Sequence, residues 1–429
     1  MSKSYKINKL LRESTNTTSN SVARPDLVAL TRATTKLVYT DIVATQRTSQ
    51  PTAALYGIKY LNPRGDLTFN AGSTYAGQAG TEDRKNLPEL TTVSAPGLLK
   101  GDFFIFNDVV YKVLVDAPFG GTSETDLTDM VQYATVALTI RFFSDAASTE
   151  KFEADDVDIS EASFKINKWN AQVKTRKLKT TLTVELAQDL EANGFDAPNF
   201  IEDLLATEMA EDINKDILQS LITVSSRYKI EGVTPDGILH IDNYDNAPAA
   251  GRLLYQMMCE MNSHIQRTTS YSGTYVVAST RVAGVLAASG FMKLTGDADN
   301  NNAYGFLKNG LPLFCDTNTP IDYMTVGVKA YFGEAEMVGS LFYAPYTEGA
   351  DLDADEHVGA FKIINDPDSL QPKIALMVRY ALAANPYTVA KDDAEARLIN
   401  ASDMDAMAGQ SDMSVMIGVK LPKLLNGTD

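Results

Sequence analysis

The sequence predicts a mixed α+β protein, and three features of the residue pattern indicate this class. Residues 66–149 are rich in Gly, Thr, Ser and Asp and contain short apolar runs typical of strands, at 103–106, 109–115 and 131–143. A long amphipathic helix is predicted from Phe200 to Val224, and strands alternate with helices after it. With 429 residues and 44% hydrophobic content, the chain can bury a large core in two or three subdomains.

The long helix is predicted from apolar residues that recur every three or four positions. These are Ile201, Leu204, Leu205, Met209, Ile213, Ile217, Leu218 and Leu221. The opposite face carries acids, including Glu208 and Glu211, which we expect to lie in solvent. Thr183 is predicted to cap a shorter helix at 184–190, which the breaks at Asn193-Gly194 and Ala197-Pro198 separate from the long one.

The remaining elements are short apolar runs bounded by turn residues. Strands are predicted at 53–61, 164–166, 173–179, 274–278, 311–315, 323–329, 341–346, 374–382 and 415–420. Helices are predicted at 253–261, where Met257, Met258 and Met261 are expected to fill the core, and at 280–288. Residues 66–149 are interpreted as a β-rich excursion rather than a compact domain.

The distribution of charge separates an acidic body from a basic N-terminal segment. The formal net charge is −17, so the body should repel nucleic acid in general. Before Gln50 the bases outnumber the acids; they are Lys3, Lys6, Lys9, Arg12, Arg24, Arg32, Lys36 and Arg47. Such a segment is either a solvated tail or an arm that lies on the acidic surface of a neighbouring copy, and the sequence leaves both open.

Motifs that carry chemistry are missing from the sequence. Neither glycine-rich nucleotide loops nor a GxSxG nucleophile turn occurs, and the three histidines have no metal-ligand spacing. His357 follows acids between 351 and 356, a conceivable cation site for which a solvated loop is the favoured interpretation. We therefore predict no catalytic, cofactor or metal site, and no enzyme.

A few other residues are given interpretations that involve no catalytic or ligand-binding role. Cys259 and Cys315 are predicted to be reduced, small buried residues. Trp169 is either an ordinary partly buried residue or an interface anchor. The longest apolar runs are too short to cross a bilayer, so no membrane contact is expected.

One long stretch carries a family resemblance. Residues 164–218, FKINKWNAQVKTRKLKTTLTVELAQDLEANGFDAPNFIEDLLATEMAEDINKDIL, resemble the centre of the T-even-type phage major capsid protein. Three later blocks agree in the same order, at 274–290, at 323–329 together with 341–346, and at 368–387, with weaker similarity from Leu27 to Tyr60. Four ordered blocks are a specific signal, whereas one short match would not be.

The resemblance implies the Hong Kong 97-type capsid fold, an α+β class, and a division of the chain. The implied parts are an N-terminal arm (1–50), a P-domain strand (51–61), an E-loop (62–163), a P-domain with the spine helix (164–227), an A-domain (228–365) and strands that return to the P- and A-domains (366–429).

The implied function is a major capsid protein that self-assembles into hexamers, and into pentamers as an open alternative. These would form the icosahedral head shell around the double-stranded DNA of a tailed phage, assembled in the host cytoplasm. Two other interpretations stay open: a vertex paralogue that forms only pentamers, and an encapsulin-like shell around a cargo. Expected partners are further copies of the chain, vertex, portal and scaffold proteins, a chaperonin and DNA bound non-specifically, with decoration proteins left open.

The resemblance also suggests residues for processing and assembly. Family members lose an N-terminal propeptide after an (Ile/Leu)-x-Glu sequence, which Leu11 and Glu13 match here. Because shell subunits associate through many weak polar contacts, charged residues of the arm, the basic strand and the long helix are contact candidates. These are Arg12, Arg24, Lys174, Arg176, Lys177, Lys179, Glu208 and Glu211.

Overall fold

A computed structural model describes most of the chain from Leu37 onward. The described residues are 37–61, 87–91, 97–107, 109–119, 126–143, 149, 153, 163–181, 183–185, 188, 197–241, 247–295, 303–332, 336–346, 360–365, 371–386 and 400–421. The predictions for the N-terminal segment before Leu37 and for His357 therefore lie outside these residues, as does most of the short helix expected at 184–190.

The helices largely follow the predicted apolar spacing. They are α1 (Tyr39–Ile42), α2 (Leu127–Val136), α3 (Ala197–Val224), α4 (Ala247–Thr269) and α5 (Thr280–Ala288). Helix α3 begins three residues before the predicted start and has Pro198 in its first turn. Backbone N–H groups in the first turn have no partner within the helix, so the N–H that proline lacks costs no hydrogen bond there. Helix α5 has the predicted bounds, and the Ser279 side chain caps it by accepting from the N–H of Val282.

Within the described residues, the strands form five separate sheets. They are β1 (Ala44–Thr45), β2 (Thr52–Leu61), β3 (Phe103–Phe106), β4 (Val109–Val113), β5 (Ile140–Phe142), β6 (Ser163–Gln172), β7 (Lys174–Thr181), β8 (Ser225–Arg227), β9 (Ile238–His240), β10 (Tyr275–Ser279), β11 (Met292–Leu294), β12 (Gly305–Leu307), β13 (Pro312–Asp316), β14 (Tyr323–Gly327), β15 (Lys329–Phe332), β16 (Glu336–Gly339), β17 (Leu341–Pro345), β18 (Ala360–Asn365), β19 (Pro372–Ala384) and β20 (Ser411–Lys420). The predicted strand at 323–329 divides at Val328 into β14 and the start of β15, which pairs only with β16 among the described strands.

Helix α3 packs on the first large sheet. That sheet has five strands in the order β1-β17-β19-β18, with β7 also paired to β19. The apolar face of the helix, centred on Ile213, Ile217 and Leu221, shares one buried cluster with Ile374 and Val378 of β19. Since neither element could bury its apolar face alone, this contact fixes the position of the long helix on the sheet.

The second large sheet has eight strands and is covered by α4 and α5. Its order is β11-β12-β13-β10-β14-β20-β8, with β9 also paired to β20. The predicted core role of Met257, Met258 and Met261 is confirmed, because all three are buried in the cluster under α4. Strand β19 belongs to the first large sheet and β20 to the second, so the last part of the chain connects the two sheets.

A two-stranded antiparallel ribbon, β2 with β6, extends from the main core. Leu55 lies opposite Trp169 near its base, and the Trp169 side chain is buried in the same cluster as α3. Trp169 is therefore a core residue of its own chain, and the interface-anchor alternative is wrong. Toward the other end the ribbon's residues 163–166 are exposed.

The excursion between β2 and β6 contains a small module with its own core, so the expectation of a non-compact excursion is wrong. Strands β3, β4 and β5 form an antiparallel sheet that α2 covers, with Phe104, Val113 and Ile140 among the buried residues. The apolar run 131–143, predicted as a strand, is instead the end of α2 followed by β5. The Asp126 carboxylate caps α2 by accepting from the Thr128 N–H at 2.9 Å.

Candidate assembly surfaces

Among the described residues, no group of three or more His, Cys, Asp or Glu side chains is placed to hold a metal ion. In the same residues, no helix is both long and apolar enough to cross a membrane. Cys259 and Cys315 are free thiols and are half-buried, and burial together with Asp316 raises the pKa of Cys315 to about 11. Cys315 is thus protonated at neutral pH, which suits a structural role.

Arg176, one of the predicted contact residues, binds groups of its own chain. Its Nε donates to the Tyr380 hydroxyl at 2.7 Å, and its guanidinium lies 3.1 Å from the Asp216 carboxylate. The Tyr380 hydroxyl donates to the same carboxylate at 2.6 Å. These three groups join β7, β19 and α3. Arg176 is therefore engaged within its own subunit.

The electrostatics of this triad favour a charged Arg176 and a neutral, hydrogen-bonded Tyr380. Burial, followed by the hydrogen bond to Asp216, raises the pKa of Tyr380 above its ordinary value. Partial burial on its own would lower the pKa of Arg176, but its hydrogen bonds to Tyr380 and Asp216 and the negative charge of Asp216 outweigh the burial and raise that pKa. The arginine stays charged and the tyrosine neutral through the physiological range.

The other predicted contact residues divide into three groups. Lys174, Lys177, Lys179 and Glu208 are exposed, as a contact between subunits requires. Glu211 is only 8% exposed, so its placement on the solvated face of the helix is wrong; that part of α3 is covered by the fold. Arg12 and Arg24 lie outside the described residues, as do Leu11 and Glu13 of the predicted processing sequence.

One face of the β2–β6 ribbon is an exposed apolar surface. Residues directly opposite each other in an antiparallel pair point to the same face, and the register places Tyr56 opposite Lys168, two positions from Ile166 and four from Phe164. The side chains of Tyr56 and Phe164 are each 66% exposed and that of Ile166 is 57% exposed. Contiguous exposed apolar side chains typically mark an interaction surface.

The small module carries a second exposed apolar group. Tyr133 and Val136 lie on the outer side of α2, and Leu138 follows the helix with a positive φ of 58°; all three side chains are more than half exposed. A left-handed backbone is unusual for leucine and is disfavoured by its Cβ. The module thus presents an apolar patch at a strained turn, away from its own buried cluster.

The sequence reasoning missed both apolar surfaces, although part of the signal was present. Phe164 and Ile166 alternate with Lys165 and Asn167, which indicates a strand with one apolar face. The alternation does not reveal whether that face is covered. Only the exposure of Tyr56, Phe164 and Ile166 in the folded chain shows that it is not.

Comparison with known proteins gives the class of this molecule. The family model described as "Major capsid protein Gp23" matches residues 20–419, nearly the whole chain. The molecule is therefore a phage capsid shell protein and a component of the virion head. It belongs to the family of the major capsid protein Gp23. The predicted α+β fold of the Hong Kong 97 type is confirmed.

Individual relatives differ strongly in their similarity to the chain. The capsid vertex protein of Enterobacteria phage T4 is 64% identical over 98% of this chain and 99% of its own length. The major capsid protein of the same phage is 26% identical over 86% of this chain and 76% of its own length. Among solved structures, the capsid of Myoviridae phage XM1 has a TM-score of 0.43 and 6% identity, over 92% of this chain and 95% of that chain.

Proposed function

We propose that this chain is a capsid vertex protein, which forms pentamers at the fivefold positions of an icosahedral phage head. The observation that carries the proposal is the contrast in identity: 64% with a capsid vertex protein over nearly the full length of both chains, against 26% with a major capsid protein. This favours the pentamer-only alternative over a hexamer-forming subunit, which was the main interpretation of the sequence.

The exposed surfaces suit association in a closed ring. In a ring, each copy contacts the next through two different patches, so a subunit needs a projecting element and a receiving surface. The β2–β6 ribbon projects with Tyr56, Phe164 and Ile166 on one face. Burying these side chains against the next copy would remove apolar surface from water, a main driving force for association.

The division of the chain implied by the resemblance is part of the same proposal. The small module lies within the proposed E-loop at 62–163, β2 matches the proposed P-domain strand at 51–61, and β6 begins the proposed P-domain at 164–227, whose spine helix is α3. Most strands of the eight-stranded sheet lie in the proposed A-domain at 228–365, whereas β17 and β18 of that range pair with β19 in the first large sheet. Strand β1 lies near the end of the proposed arm at 1–50 and pairs in parallel with β17. Portal, scaffold and chaperonin partners, and the lack of enzymatic activity, stay predictions.

The direct test is electron cryomicroscopy of purified heads that contain this protein, with its copy number measured by quantitative mass spectrometry. We expect density with the α3 helix and the β2–β6 ribbon at the fivefold positions only. Density of this chain in hexamers would overturn the proposal and support a hexamer-forming major capsid protein. A shell without DNA that holds a cargo enzyme would favour the encapsulin-like alternative.

Variants of the ribbon test the proposed contact. We expect Phe164→Ser combined with Ile166→Ser to leave the monomer folded, because both side chains are exposed, but to reduce incorporation into heads. Val233→Ser, which also changes an exposed apolar residue but lies elsewhere, is the control. Equal incorporation of the double variant and the wild type would argue against the ribbon contact.

Processing at Leu11–Glu13 is proposed from the sequence pattern alone and has its own readout. Cleavage after Glu13 would make Ser14 the N-terminal residue of the protein in mature heads. Mass spectrometry of the N-terminal peptide measures this directly. Recovery of the intact segment from mature heads would rule the cleavage out.

A further inference from the structure

The outer face of the β7–β19 strand pair carries cations and no acids. Residues of β7 alternate, so that Arg176, Leu178 and Thr180 are partly buried toward α3 while Lys177 and Lys179 are exposed on the opposite face. Strand β19 alternates in the same way, with Ile374, Leu376, Val378 and Tyr380 buried. The register then assembles the outer face as four pairs, which are Thr175 with Arg379, Lys177 with Met377, Lys179 with Ala375, and Thr181 with Lys373.

We name this face, formed by Thr175, Lys177, Lys179, Thr181, Lys373, Ala375, Met377 and Arg379, the basic sheet face. Four of its eight residues are cationic, and none is acidic, in a chain with 55 acidic and 38 basic residues. Alternate residues of a strand lie about 6.8 Å apart and paired strands about 4.8 Å apart, so these cations are close neighbours. The guanidinium of Arg379 lies 4.4 Å from the centre of the Tyr346 ring, which holds it at the end of the face.

The protective role of lysines on edge strands does not account for this face. Among the described strands β7 pairs only with β19, and lysines on such an edge discourage unwanted strand pairing. That explanation covers Lys177 and Lys179. It does not cover Lys373 and Arg379, because β19 is an interior strand that also pairs with β17 and β18.

We propose that the basic sheet face is a contact between subunits, and that its occupant is an acidic surface of a second copy of this chain in the same ring; this rests on the proposed ring of vertex subunits. Charge complementarity favours this occupant, because the net charge of −17 makes another copy an anionic partner on average. DNA is the less favoured polyanion, since the same net charge repels its phosphates from the subunit as a whole.

The face also separates the predicted contact residues that share β7. Lys177 and Lys179 belong to the proposed contact, and Arg176 is held inside the subunit by Asp216 and Tyr380. Lys174 is exposed on the same strand but has the parity of Arg176, so it points to the other side of the sheet. Lys174 is therefore a matched control: the same residue type and strand, on the opposite face.

The test is a lysine footprint of the free protein, of DNA-filled heads and of heads emptied of DNA. An amine-reactive reagent labels exposed lysines, and mass spectrometry reads the extent at each position. We expect Lys177 and Lys179 to lose reactivity several-fold in filled and emptied heads alike, while Lys174 keeps it. Unchanged reactivity of Lys177 and Lys179 in heads would overturn the proposal, and protection confined to filled heads would assign the face to DNA and also overturn it.

A carbodiimide, which joins an amine directly to a carboxylate in contact with it, identifies the occupant. In heads assembled from a mixture of ¹⁴N and ¹⁵N protein, we expect mixed-isotope crosslinks from Lys177 or Lys179 to an acidic residue of this chain. Crosslinks only to a different capsid protein would overturn the assignment to a second copy. Imaging the same heads distinguishes the two proposals. If the chain lies at the vertices but Lys177 and Lys179 stay reactive, only the basic-face contact is refuted. If the chain is absent from the vertices, the proposed function is refuted.

Discussion

Replacing Tyr380 with phenylalanine should loosen the junction between β7, β19 and α3. The change removes one hydroxyl and with it two hydrogen bonds, from the Arg176 Nε at 2.7 Å and to the Asp216 carboxylate at 2.6 Å. Hydrogen bonds to charged groups contribute about 1.5–3 kcal/mol each. Because the side chains of Arg176 and Asp216 are 37% and 31% exposed, water can replace part of the lost hydrogen bonding. The ion pair between Arg176 and Asp216 also remains. We expect a net cost of about 2 kcal/mol.

Hydrogen exchange is the suitable assay, because a chain with several buried clusters need not unfold in one step. A local cost of about 2 kcal/mol corresponds to exchange roughly 30-fold faster in peptides from β7 and the centre of α3. Peptides from β10, in the other large sheet, should exchange as in the wild type. The control is Tyr331→Phe, which removes an exposed hydroxyl. An acceleration of less than about threefold in β7 and α3 would refute the reasoning, since it equals less than about 0.7 kcal/mol.

Three further predictions concern packing and ionisation. A Cβ at Gly251 would lie 2.0 Å from the Ser289 Oγ. Gly251→Ala should therefore push α4 and α5 apart and lower the free energy of unfolding by about 1–3 kcal/mol. Adding Ser289→Gly should restore the melting temperature. Ile217→Ala, at a fully buried site on α3, should cost about 2–5 kcal/mol in denaturant, whereas Leu204→Ala on the exposed side should cost much less; equal losses would contradict the packing. Burial raises the pKa of Tyr275 to about 12 from 10.0, so its contribution to stability is complete below pH 10 and is lost as the pH rises toward 12, by up to about 3 kcal/mol. The melting temperature of Tyr275→Phe relative to the wild type should therefore rise above pH 10, and parallel curves would count against it.

The local pattern of the chain was sufficient to predict most elements of the two large sheets. Helix α5 has the predicted bounds, and α3 and β19 contain the predicted segments, because their apolar periods of 3.6 and 2 match the faces they bury. The prediction was wrong where the apolar pattern suggested one kind of element and the buried residues follow the spacing of another. The run 131–143 reads as one apolar strand, but the cap at Asp126 and the burial of Met130 and Ala134 select a helix for its first part.

The candidate surfaces were predictable only in part. The sequence singled out the basic strand predicted at 173–179 but could not separate its residues by role. Arg176 turns inward because Asp216 and Tyr380 lie opposite it, and these partners are 40 and 204 residues away along the chain. Lys373 and Arg379 were not singled out at all, because only the pairing of β19 with β7 places them beside Lys177 and Lys179.

The sequence by itself determined the α+β class, the positions of the long helix and most strands, and the resemblance to a capsid protein family, because these depend on residue type and local spacing. The tertiary structure decided which faces are covered and which remain exposed. That decision depends on strand register and on contacts between distant segments, which bury Glu211 and Trp169 but leave Phe164, Ile166 and the lysines of the basic sheet face exposed. For a protein that works by association, the uncovered faces are where function lies, and their positions follow from how the whole chain packs.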